Sequence, residues 1–565
     1  MHQPTMASRP SIYYNYKVHP PWSPTLGNSN QDFKRDVIIV GNGPAGMVTA
    51  LELARHGVPS LILTSECQFT QGSRAIVFTR RSLEILQQVG VADRLMEHGL
   101  PWRFGNSFFR GQRVFRMEAP KSEDDRYWPM LNIQQQYLEE FLHEACLATG
   151  KIEIRWGNQV IDVHTHTEGV HLTVDTPAGS YQIDANWLVA ADGGRSAIRS
   201  RLGLEMEGTS YEGQFVIADI RVDLPLPTER LAFFDPDWNR GNTVLMHKEP
   251  HGIWRVDYQL PKGESPEEAL QPQRLKERID AQLSMIGHAG IPWDLDWSSV
   301  YSARTLTLPS YQHERVLFVG DAAHLLPIFG VRGANTAFQD AQSLGWHLAW
   351  VCRGLSGSKL LSNFSEERVG AAREIINEAG KSVRFMAPPS MGHEWVRNAV
   401  LSLSLSQDFV RPLYHWRTSR PHEYTDSQIN SRDDDDACFV NGPGHGATAQ
   451  NVKLPDQTHL MDHLGGGFDL IWFSDDPLPE FVQAEVVEWR QKKWPLRLLA
   501  VSKTRSHVEG ADITLPDPEG RFRAIYGVEK EGCAYLLRPD QHVCARWVEL
   551  KPQSLTCALH QIEKE

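Results

Sequence analysis

The sequence predicts an α/β protein in which a parallel-sheet nucleotide-binding scaffold carries an inserted antiparallel sheet and a separate C-terminal unit. Three observations predict this class. A buried strand at 36–40 runs into a glycine-rich turn and a helix. Alternating segments at 102–117 and 211–260 indicate an antiparallel sheet. A cluster of Gly and Pro at 442–446 then separates a last unit with mixed strands and helices.

Composition excludes several classes of function. The 565 residues suffice for three to four domains at about 150 residues each. A formal net charge of −13 argues against nucleic acid as a partner, and the apolar runs are too short to span a membrane. Seven scattered cysteines without a Cys-x-x-Cys argue against a metal site and indicate a reducing compartment, so we expect a cytoplasmic protein. Residues 1–34 lack the apolar core of a signal peptide and are interpreted as an arm, which either packs across a neighbouring domain or is disordered.

The glycine-rich turn follows the first strand directly and opens a helix, which is the context that dinucleotide binding requires. Gly41 permits a tight turn, Gly43 allows the backbone to approach a pyrophosphate, and Gly46 allows close packing of helix and strand. Pro44 and Ala45 lie in the same turn, where the helix N-terminus offers its N–H groups. A second strand at 60–63 completes a β-α-β unit, and either Thr64 or Glu66 at its end is expected to bind the ribose.

Two further segments carry a resemblance to a known family. The segment at 187–199 contains Ala-Asp-Gly-Gly-Arg, and the segment at 320–327 begins with Gly-Asp and is continued by 330–335. Both resemble motifs of the single-component FAD-dependent aromatic hydroxylases, the p-hydroxybenzoate and phenol hydroxylase family. The resemblance covers nearly all of 35–400. The last 120 residues resemble the thioredoxin-like C-terminal domain of the phenol hydroxylase branch, best at 535–540, but without a Cys-x-x-Cys.

The resemblance implies a Rossmann-like FAD-binding domain with an inserted antiparallel-sheet substrate domain and a C-terminal thioredoxin-like domain. The boundaries that we expect are an arm at 1–34, the FAD-binding domain and its helical extension at 35–100, 131–206 and 305–403, the substrate domain at 101–130 and 207–304, a linker at 404–444 and the last domain at 445–565.

The resemblance also implies the residues that contact the cofactors. Asp321, after Gly320, would bind a ribose hydroxyl of FAD, and Asp192 would orient the pyrophosphate region. Arg195 would assist NAD(P)H as well as FAD. Further contacts are expected from Arg74 and Gln135, and from the flavin-side loop with Pro327, Gly330, Arg332, Gly333, Ala334 and Asn335, which precedes a helix beginning near Thr336. Ile328 stands where a second proline is common, which affects the geometry of that loop.

The implied activity is hydroxylation of a phenolic or related aromatic compound with NAD(P)H and O2, through a flavin hydroperoxide. The reaction needs a group that takes or shares the phenol proton. Candidates on the predicted sheet are His247, Asp257, Tyr258 and Asp219, with Arg255 available to hold an anionic group or the flavin. Some relatives carry a catalytic His directly after their Arg-Ala pair, where this chain has Ile76. The alternatives are epoxidation or oxygenation of a heteroaromatic ring on the same scaffold, or a flavin-bound regulatory, partner-binding protein. Relatives also suggest a homodimer.

Overall fold

The computed structural model describes residues 1–24, 33–72, 74–261, 263–327, 330–414, 421–431, 439 and 441–564. Ile328 and most of the predicted linker, including its acidic run at 433–436, lie outside the described residues.

The described elements follow the predicted order. The first strands are β1 (Lys34–Val40), β2 (Ser60–Leu63), β3 (Val77–Thr79), β4 (Leu100–Trp102), β5 (Phe104–Phe109), β6 (Gln112–Glu118), β7 (Met130–Asn132), β8 (Ile152–Arg155), β9 (Gln159–His166), β10 (Gly169–Thr176) and β11 (Gly179–Ala190). They are followed by β12 (Glu207–Arg221), β13 (Arg230–Phe234), β14 (Thr243–Lys248), β15 (Ile253–Gln259), β16 (Asp294–Thr307), β17 (Gln312–His313), β18 (Val316–Phe318), β19 (His324–Leu325), β20 (Phe468–Phe473), β21 (Leu496–Ser502), β22 (Ile513–Pro516), β23 (Cys533–Leu537) and β24 (Val543–Trp547). The helices are α1 (Pro44–Arg55), α2 (Arg80–Gln88), α3 (Ala92–His98), α4 (Gln135–Ala148), α5 (Ala197–Arg201), α6 (Pro266–Ala269), α7 (Pro272–Met285), α8 (Gly333–Cys352), α9 (Lys359–Met386), α10 (Met391–Ser404), α11 (Leu460–His463), α12 (Glu480–Gln491), α13 (Arg521–Ile525) and α14 (Ser554–Lys564).

The first sheet is the nucleotide-binding scaffold. Its strands follow the order β17-β18-β11-β1-β2-β8. Strand β10 pairs with β11, and β9 pairs with β10, both in antiparallel orientation. Strand β1 pairs in parallel with β2 and β11, and β11 pairs in parallel with β18. The glycine turn and the two motif segments follow β1, β11 and β18 respectively, so three sequence-distant motifs meet at the carboxyl edge of one parallel sheet.

The inserted sheet has the order β19-β16-β12-β15-β14-β13-β5-β6 and is antiparallel except between β13 and β5. Helix α7 covers one face, where Leu275, Ile279 and Leu283 pack against Trp254 and Val256 of β15. Strand β16 continues to Thr307 and pairs there with β19, so the sheet extends a few residues beyond the predicted 207–304. The opposite, inner face lies toward the nucleotide-binding scaffold, because Arg255 on it reaches the backbone of Arg74.

The N-terminal arm packs across both domains, which is the first of the two predicted alternatives for residues 1–24. Arg9 and Tyr16 contact the scaffold through Glu66 and the carbonyl oxygen of Thr70. The backbone N–H of Ile12 donates to Asp296 on strand β16 of the inserted sheet. The arm therefore ties the two domains together on one side.

The C-terminal unit contains a five-stranded mixed sheet in the order β22-β21-β20-β23-β24. The mixture of strands and helices agrees with the sequence prediction for this unit. The unit is joined to the scaffold by buried polar contacts: Trp346 of α8 donates to Asp540 at 2.9 Å, and Arg538 pairs with Glu367 of α9. Its thioredoxin-like identity stays a prediction. Among the helices of the described residues, none has the length and apolarity needed to cross a membrane.

Candidate active site

The glycine turn after β1 adopts the geometry that the sequence predicts. Gly41 has a φ of +115°, and a Cβ placed there would lie 2.3 Å from the carbonyl oxygen of Ala191. A Cβ at Gly46 would lie 2.1 Å from the carbonyl oxygen of Gly41. At Gly43, in contrast, the same position has no atom within 4 Å, so this face of the turn is open toward a ligand. Helix α1 begins at Pro44, and no side chain caps its N-terminus, which leaves its N–H groups and partial positive charge for phosphate.

The two ribose candidates after β2 differ in their surroundings. The Glu66 carboxylate accepts from the Arg9 guanidinium at 3.0 Å, so the arm already occupies it. Thr64 is buried, and its carbonyl oxygen accepts from Asn158 N at 2.7 Å, which fixes the end of the strand. This arrangement favours Thr64 for the ribose.

The segment after β11 places Asp192 beside the glycine turn, whose residue Gly41 contacts Ala191. One carboxylate oxygen of Asp192 accepts from Ile198 N at 3.1 Å, at the start of α5. The other oxygen, Oδ1, is buried without a hydrogen-bond partner among the described residues. Burial raises the pKa of this carboxyl group. Arg195 lies in the following turn and is exposed, so its guanidinium is accessible from solvent.

The segment after β18 is fixed by a buried charge cluster. Asp340 of α8 accepts from Gly320 N at 3.0 Å and from His324 Nε2 at 2.6 Å, and it also pairs with Arg368 at 2.7 Å. These bonds hold the pKa of Asp340 at about 2, despite its burial. His324 is thus held in a structural role by its bond to Asp340. Asp321 itself is exposed in this segment, and desolvation by the surrounding protein raises the pKa of its carboxyl group.

The loop before α8 differs from the sequence prediction in two respects. The helix begins at Gly333, not near Thr336, so Gly333, Ala334 and Asn335 form its first turn, and none of the described side chains caps it. Asn335 was expected to contact the flavin, but its side chain accepts from Thr79 N at 2.8 Å and Ser82 Oγ at 2.6 Å and donates to Val331 O at 2.9 Å. The amide side chain is therefore structural, and only backbone N–H groups of this turn remain for an anion.

Val331 was not singled out from the sequence. Its φ is +62°, a left-handed conformation that β-branched residues rarely adopt. Such strain is kept only where the surroundings enforce it, and it clusters at ligand sites. Arg332 beside it is buried, and Gly330 before it has a φ of +92°.

Arg74 and Ala75 lie in the loop before β3, and this loop contacts the inserted sheet through Arg255. Gln135, at the start of α4, accepts from Ala75 N at 3.0 Å and donates to Glu139 at 2.7 Å, which positions the loop. Through its bond to Ala75, Gln135 therefore fixes the backbone next to Arg74. The Arg74 side chain is exposed, and its positive charge partly offsets the rise in the pKa of the Asp321 carboxyl group.

The inner face of the inserted sheet carries a row of buried polar side chains. Across the paired strands β12, β15, β14 and β13, one row runs from Asp219 to Arg255 and on to His247. Arg230, at the start of β13, continues this row next to His247. Arg255 forms a two-point ion pair with Asp219, with both distances 2.8 Å, and donates a third bond to Arg74 O at 3.1 Å. The neighbouring row contains Asp257 between the apolar Ile217 and Leu245.

Two titratable groups in these rows, Asp257 and His247, differ in how readily they accept a proton at neutral pH. Burial raises the pKa of Asp257 to about 7, and its Oδ1 has no hydrogen-bond partner among the described residues. Burial and the nearby Arg230 and Arg255 cations lower the pKa of His247 well below its usual value, so the ring is neutral. Tyr258 lies on the opposite face, where it packs against Trp238 and Arg278 in the core under α7.

Glu249 was missed by sequence reasoning. It follows β14, is 1% exposed, and lies 3.6 Å from Arg255 Nε. Neither carboxylate oxygen has a hydrogen-bond partner within the part of the chain that the structure describes. Burial and then the Asp219 charge raise the pKa of Glu249 well above its usual value. No local motif signals such a residue, because its role depends on strand pairing.

The arrangement fits FAD. Two helix N-termini without side-chain caps, α1 and α8, meet at one cleft, where they suit a pyrophosphate and an anionic reduced flavin. The open side of Gly43, the orphaned oxygen of Asp192 and the exposed Asp321 carboxylate provide the remaining polar contacts. Among the described residues, no group of three or more His, Cys, Asp or Glu side chains is arranged to hold a metal ion.

Comparison with known proteins agrees with this geometry. The chain is 25% identical to a 3-(3-hydroxy-phenyl)propionate/3-hydroxycinnamic acid hydroxylase of Mycolicibacterium smegmatis, over 93% of both chains. It is also 25% identical to the Escherichia coli O81 protein of the same name, over 96% of both. Among solved structures, the flavin-dependent monooxygenase PieE with FAD and substrate superposes with a TM-score of 0.76 at 22% identity, covering 94% of this chain and all of that one. Aklavinone-11 hydroxylase in complex with FAD and aklavinone superposes with a TM-score of 0.75 at 24% sequence identity, covering 94% of this chain and 99% of that one.

These similarities confirm the predicted fold class, the resemblance to FAD-dependent aromatic hydroxylases, and FAD as cofactor. A family model described as FAD binding domain matches residues 34–379, from the start of β1 to within α9. This match covers more than half of the chain, and the protein therefore belongs to the FAD binding domain family.

Proposed function

We propose that this protein is an FAD-dependent monooxygenase that uses NAD(P)H and O2 to hydroxylate a phenolic or related aromatic compound. The observation that carries the proposal is the inner face of the inserted sheet, where a proton acceptor with a pKa near neutrality lies on the side that faces the FAD cleft. FAD, when bound, supplies the electron transfer from NAD(P)H and the activation of O2. The residues of this chain must bind the ring, exclude water and remove the phenol proton.

Asp257 is the proton acceptor in this proposal. A general base works best when its pKa lies near the working pH, and Asp257 meets this condition because it is buried between Ile217 and Leu245. His247 lies one row away and stays neutral, so it orients the substrate hydroxyl or passes its proton on. Asp219 is committed to Arg255, and Tyr258 lies on the other face, so neither is part of this proton path.

The cofactor contacts are assigned as follows. The pyrophosphate is held by backbone groups of the glycine turn, from Gly41, Gly43, Ala45 and Gly46, with Pro44 at the first helical position. Ribose hydroxyls are bound by Thr64 and Asp321. Asp192 orients the pyrophosphate region. The backbone of 330–335, entered from Gly320 and Pro327, faces the pyrimidine side of the flavin. Arg74 and Arg195, both exposed at the cleft and its adjoining turn, serve the phosphates of FAD or of NAD(P)H.

The substrate class follows from the relatives and from the charges of the inner face. The two curated relatives are named for hydroxyphenyl and hydroxycinnamic acids. On the inner face, the buried Arg255 guanidinium is paired with Asp219, whereas burial lowers the pKa of the Arg230 guanidinium to about 10. An anionic side chain on the substrate would compensate that desolvation. A phenol bearing a carboxylate is therefore the first substrate to test.

The experiment is NADH and NADPH oxidation by the FAD-loaded protein with phenols that carry or lack a carboxylate, and product masses identify oxygen transfer. One compound that accelerates oxidation and gains a single oxygen atom supports the proposal. Acceleration that yields only hydrogen peroxide means that the compound binds without being the substrate. Absence of acceleration by every phenol, with FAD fully bound, would overturn it. The homodimer and the cytoplasmic location stay predictions from the sequence.

A further inference from the structure

The hairpin turn between β23 and β24 is buried, although connecting turns normally lie at the protein surface. Its residues, all of them buried, are Arg538, Pro539, Asp540, Gln541 and His542. Two backbone bonds close the turn, from Arg538 N to His542 O and from Gln541 N to Arg538 O, both at 2.8 Å. The C-terminal unit therefore presents a closed, polar turn to the rest of the protein. We call residues 538–542 the interface turn.

Two helices of the nucleotide-binding scaffold bind the interface turn through single side chains. Arg81 of α2 donates to Gln541 Oε1 at 2.7 Å and to Asp540 O at 2.8 Å. The same guanidinium donates to Gln342 of α8 at 2.8 Å, so it joins both helices to the turn. Trp346 of α8 donates to the Asp540 carboxylate at 2.9 Å.

A third helix, α9, meets the interface turn through a buried ion cluster. Arg538 donates to both carboxylate oxygens of Glu367, at 2.6 and 2.9 Å, and to Asp540 Oδ2 at 2.6 Å. All three side chains are buried. Buried ion pairs add little net stability, because the cost of desolvation offsets their attraction, but the loss of one partner leaves a buried charge uncompensated. Such a cluster is therefore suited to fixing the position of α9.

Neighbouring residues of α2 face the interface turn and the FAD site. Ser82 follows Arg81 directly, and its hydroxyl donates to the Asn335 side chain at 2.6 Å. The backbone N–H of Thr79, just before α2, donates to the same Asn335 oxygen at 2.8 Å. Asn335 lies in the first turn of α8, which is assigned above to the flavin. A shift of α2 away from the interface turn would therefore disturb this end of the FAD site.

Helix α9 has the same arrangement. Glu367 binds the interface turn, and the next residue, Arg368, donates to Asp340 at 2.7 Å. Asp340 in turn accepts from Gly320 N at 3.0 Å, which fixes the segment that presents Asp321. Successive residues of a helix point about 100° apart, so α2 and α9 each contact the interface turn on one side and the FAD site on another.

We propose that the interface turn is a positioning element of the FAD site, which it supports through α2 and α9. Arg538 and Asp540 are positioning residues, because they act through Arg81 and Glu367. The C-terminal unit thereby has a function in cofactor binding that needs no Cys-x-x-Cys pair, which the sequence lacks. The inference rests on FAD binding and not on the proposed hydroxylation, so a failure of one leaves the other standing.

The test is fluorescence titration of the full-length apoprotein with FAD. Arg81→Met removes the donors to the interface turn but keeps an unbranched side chain, and it is expected to raise the Kd for FAD about tenfold. Glu367→Gln removes the charge that pairs with Arg538 and is expected to have a similar effect. Arg81→Lys keeps the charge without the planar fork, so its Kd is expected to lie between those of wild type and Arg81→Met.

Val501→Ala is the matched control for a loss of stability. Val501 is fully buried in the core of the C-terminal unit, and its strand, β21, pairs with β20 and β22, whereas the interface turn joins β23 to β24. Urea unfolding is expected to show that this variant is less stable, because a buried side chain has been shortened. Its Kd for FAD is expected to stay at the wild-type value.

The midpoint potential of the bound flavin is a second readout, which a loss of stability alone would not change. Displacement of the first turn of α8 would weaken its partial positive charge near the reduced flavin, so Arg81→Met is expected to have a more negative potential than wild type or Val501→Ala. A double-mutant cycle with Ser82→Ala tests the route through α2. Substitutions on one route are not additive, so Arg81→Met is expected to raise the Kd less in the Ser82→Ala background.

Three results would overturn the proposal. The first is a wild-type Kd for FAD in Glu367→Gln and in both Arg81 variants. The second is a Val501→Ala variant that binds FAD as weakly as Arg81→Met, since lower stability would then explain both. The third is full additivity of Arg81→Met and Ser82→Ala. If Arg81→Met does not fold, Arg81→Lys and Glu367→Gln decide between the same outcomes.

Discussion

Arg255 and Asp219 form a two-point ion pair on neighbouring strands, and the third donor of the same guanidinium reaches the carbonyl oxygen of Arg74. Both side chains of the pair are almost fully buried. One residue thus connects the inserted sheet to the loop that presents Arg74 beside Asp321. Glu249 also lies 3.6 Å from Arg255, so the guanidinium has two buried carboxyl groups beside it.

Arg255→Lys is expected to slow flavin reduction by NAD(P)H more than it weakens FAD binding. A lysine keeps one positive charge near Asp219 but lacks the fork that reaches Asp219 and Arg74 O together, so the loop loses its position. Arg255→Ala goes further, since it leaves a buried carboxylate without its cation, which costs about 3–5 kcal/mol of folding free energy. Stopped-flow absorbance of the FAD-loaded variants measures reduction directly. Reduction at the wild-type rate in both variants would remove Arg255 from the site.

Asp257→Asn is expected to lower kcat about 10²-fold or more and to remove the pH dependence that Asp257 causes. The carboxyl pKa is raised to about 7 by burial, so the active, ionised base forms as pH rises and the wild-type rate increases between pH 6 and 8. Asp223→Asn, at an exposed position after β12, is the matched control and keeps the wild-type profile. If the rate of Asp257→Asn rises with pH as in the wild-type protein, another group is the base.

Asp257→Asn is also expected to change how the stability of the protein depends on pH. A carboxyl whose folded pKa is raised binds its proton more tightly in the folded state, so its stabilising effect is present at low pH and is lost as pH rises through about 7. A rise in the carboxyl pKa from 3.8 to about 7 on folding corresponds to a loss of roughly 4 kcal/mol in the free energy of unfolding at high pH. Urea unfolding at pH 5 and pH 9 is expected to show a smaller pH difference in Asp257→Asn than in wild type. An equal difference contradicts the assigned pKa.

Asp321→Ala is expected to abolish or greatly weaken FAD retention. The Asp321 carboxylate faces the cleft at the end of β18, and a buried ribose hydroxyl would lose a charge-assisted acceptor, worth about 1.5–3 kcal/mol or up to about 100-fold in affinity. The ratio of flavin to protein absorbance after purification gives the occupancy. Glu66→Ala serves as the comparison, because that carboxylate pairs with Arg9, and it should retain FAD. Full occupancy in Asp321→Ala would contradict the assignment.

The scaffold was predictable because its signals are local. Strand β1 at 34–40, the turn at 41–46 and helix α1 follow from adjacent residue types, and the motif after β18 was recognised from contiguous text. The inner-face rows were only partly predictable. The sequence placed Arg255, Asp257 and Tyr258 on the predicted sheet but did not assign them to its two faces, because both faces of β15 are buried.

What the sequence did not reveal depends on contacts between distant segments. Glu249 becomes a buried neighbour of Arg255 only through the pairing of β14 with β15. Asn335 was assigned to the flavin because it lies in the motif, whereas its amide bonds to Thr79 and Ser82, more than 250 residues earlier. Similarly, the sequence could not show that the arm places Arg9 beside Glu66, one of the two ribose candidates.

Val331 allows a test of whether backbone conformation, rather than a side chain, positions the loop before α8. Its φ of +62° strains a β-branched residue by about 1–3 kcal/mol, and glycine adopts this conformation without that strain. Val331→Gly is therefore expected to bind FAD at least as tightly as wild type, while Val331→Pro, whose φ is fixed near −65°, is expected to lose at least tenfold in affinity. Fluorescence titration of the apoprotein with FAD measures both. Val331→Ala controls for the loss of apolar contact with Ile76 and Trp102, and tight binding by Val331→Pro would show that this backbone does not shape the FAD site.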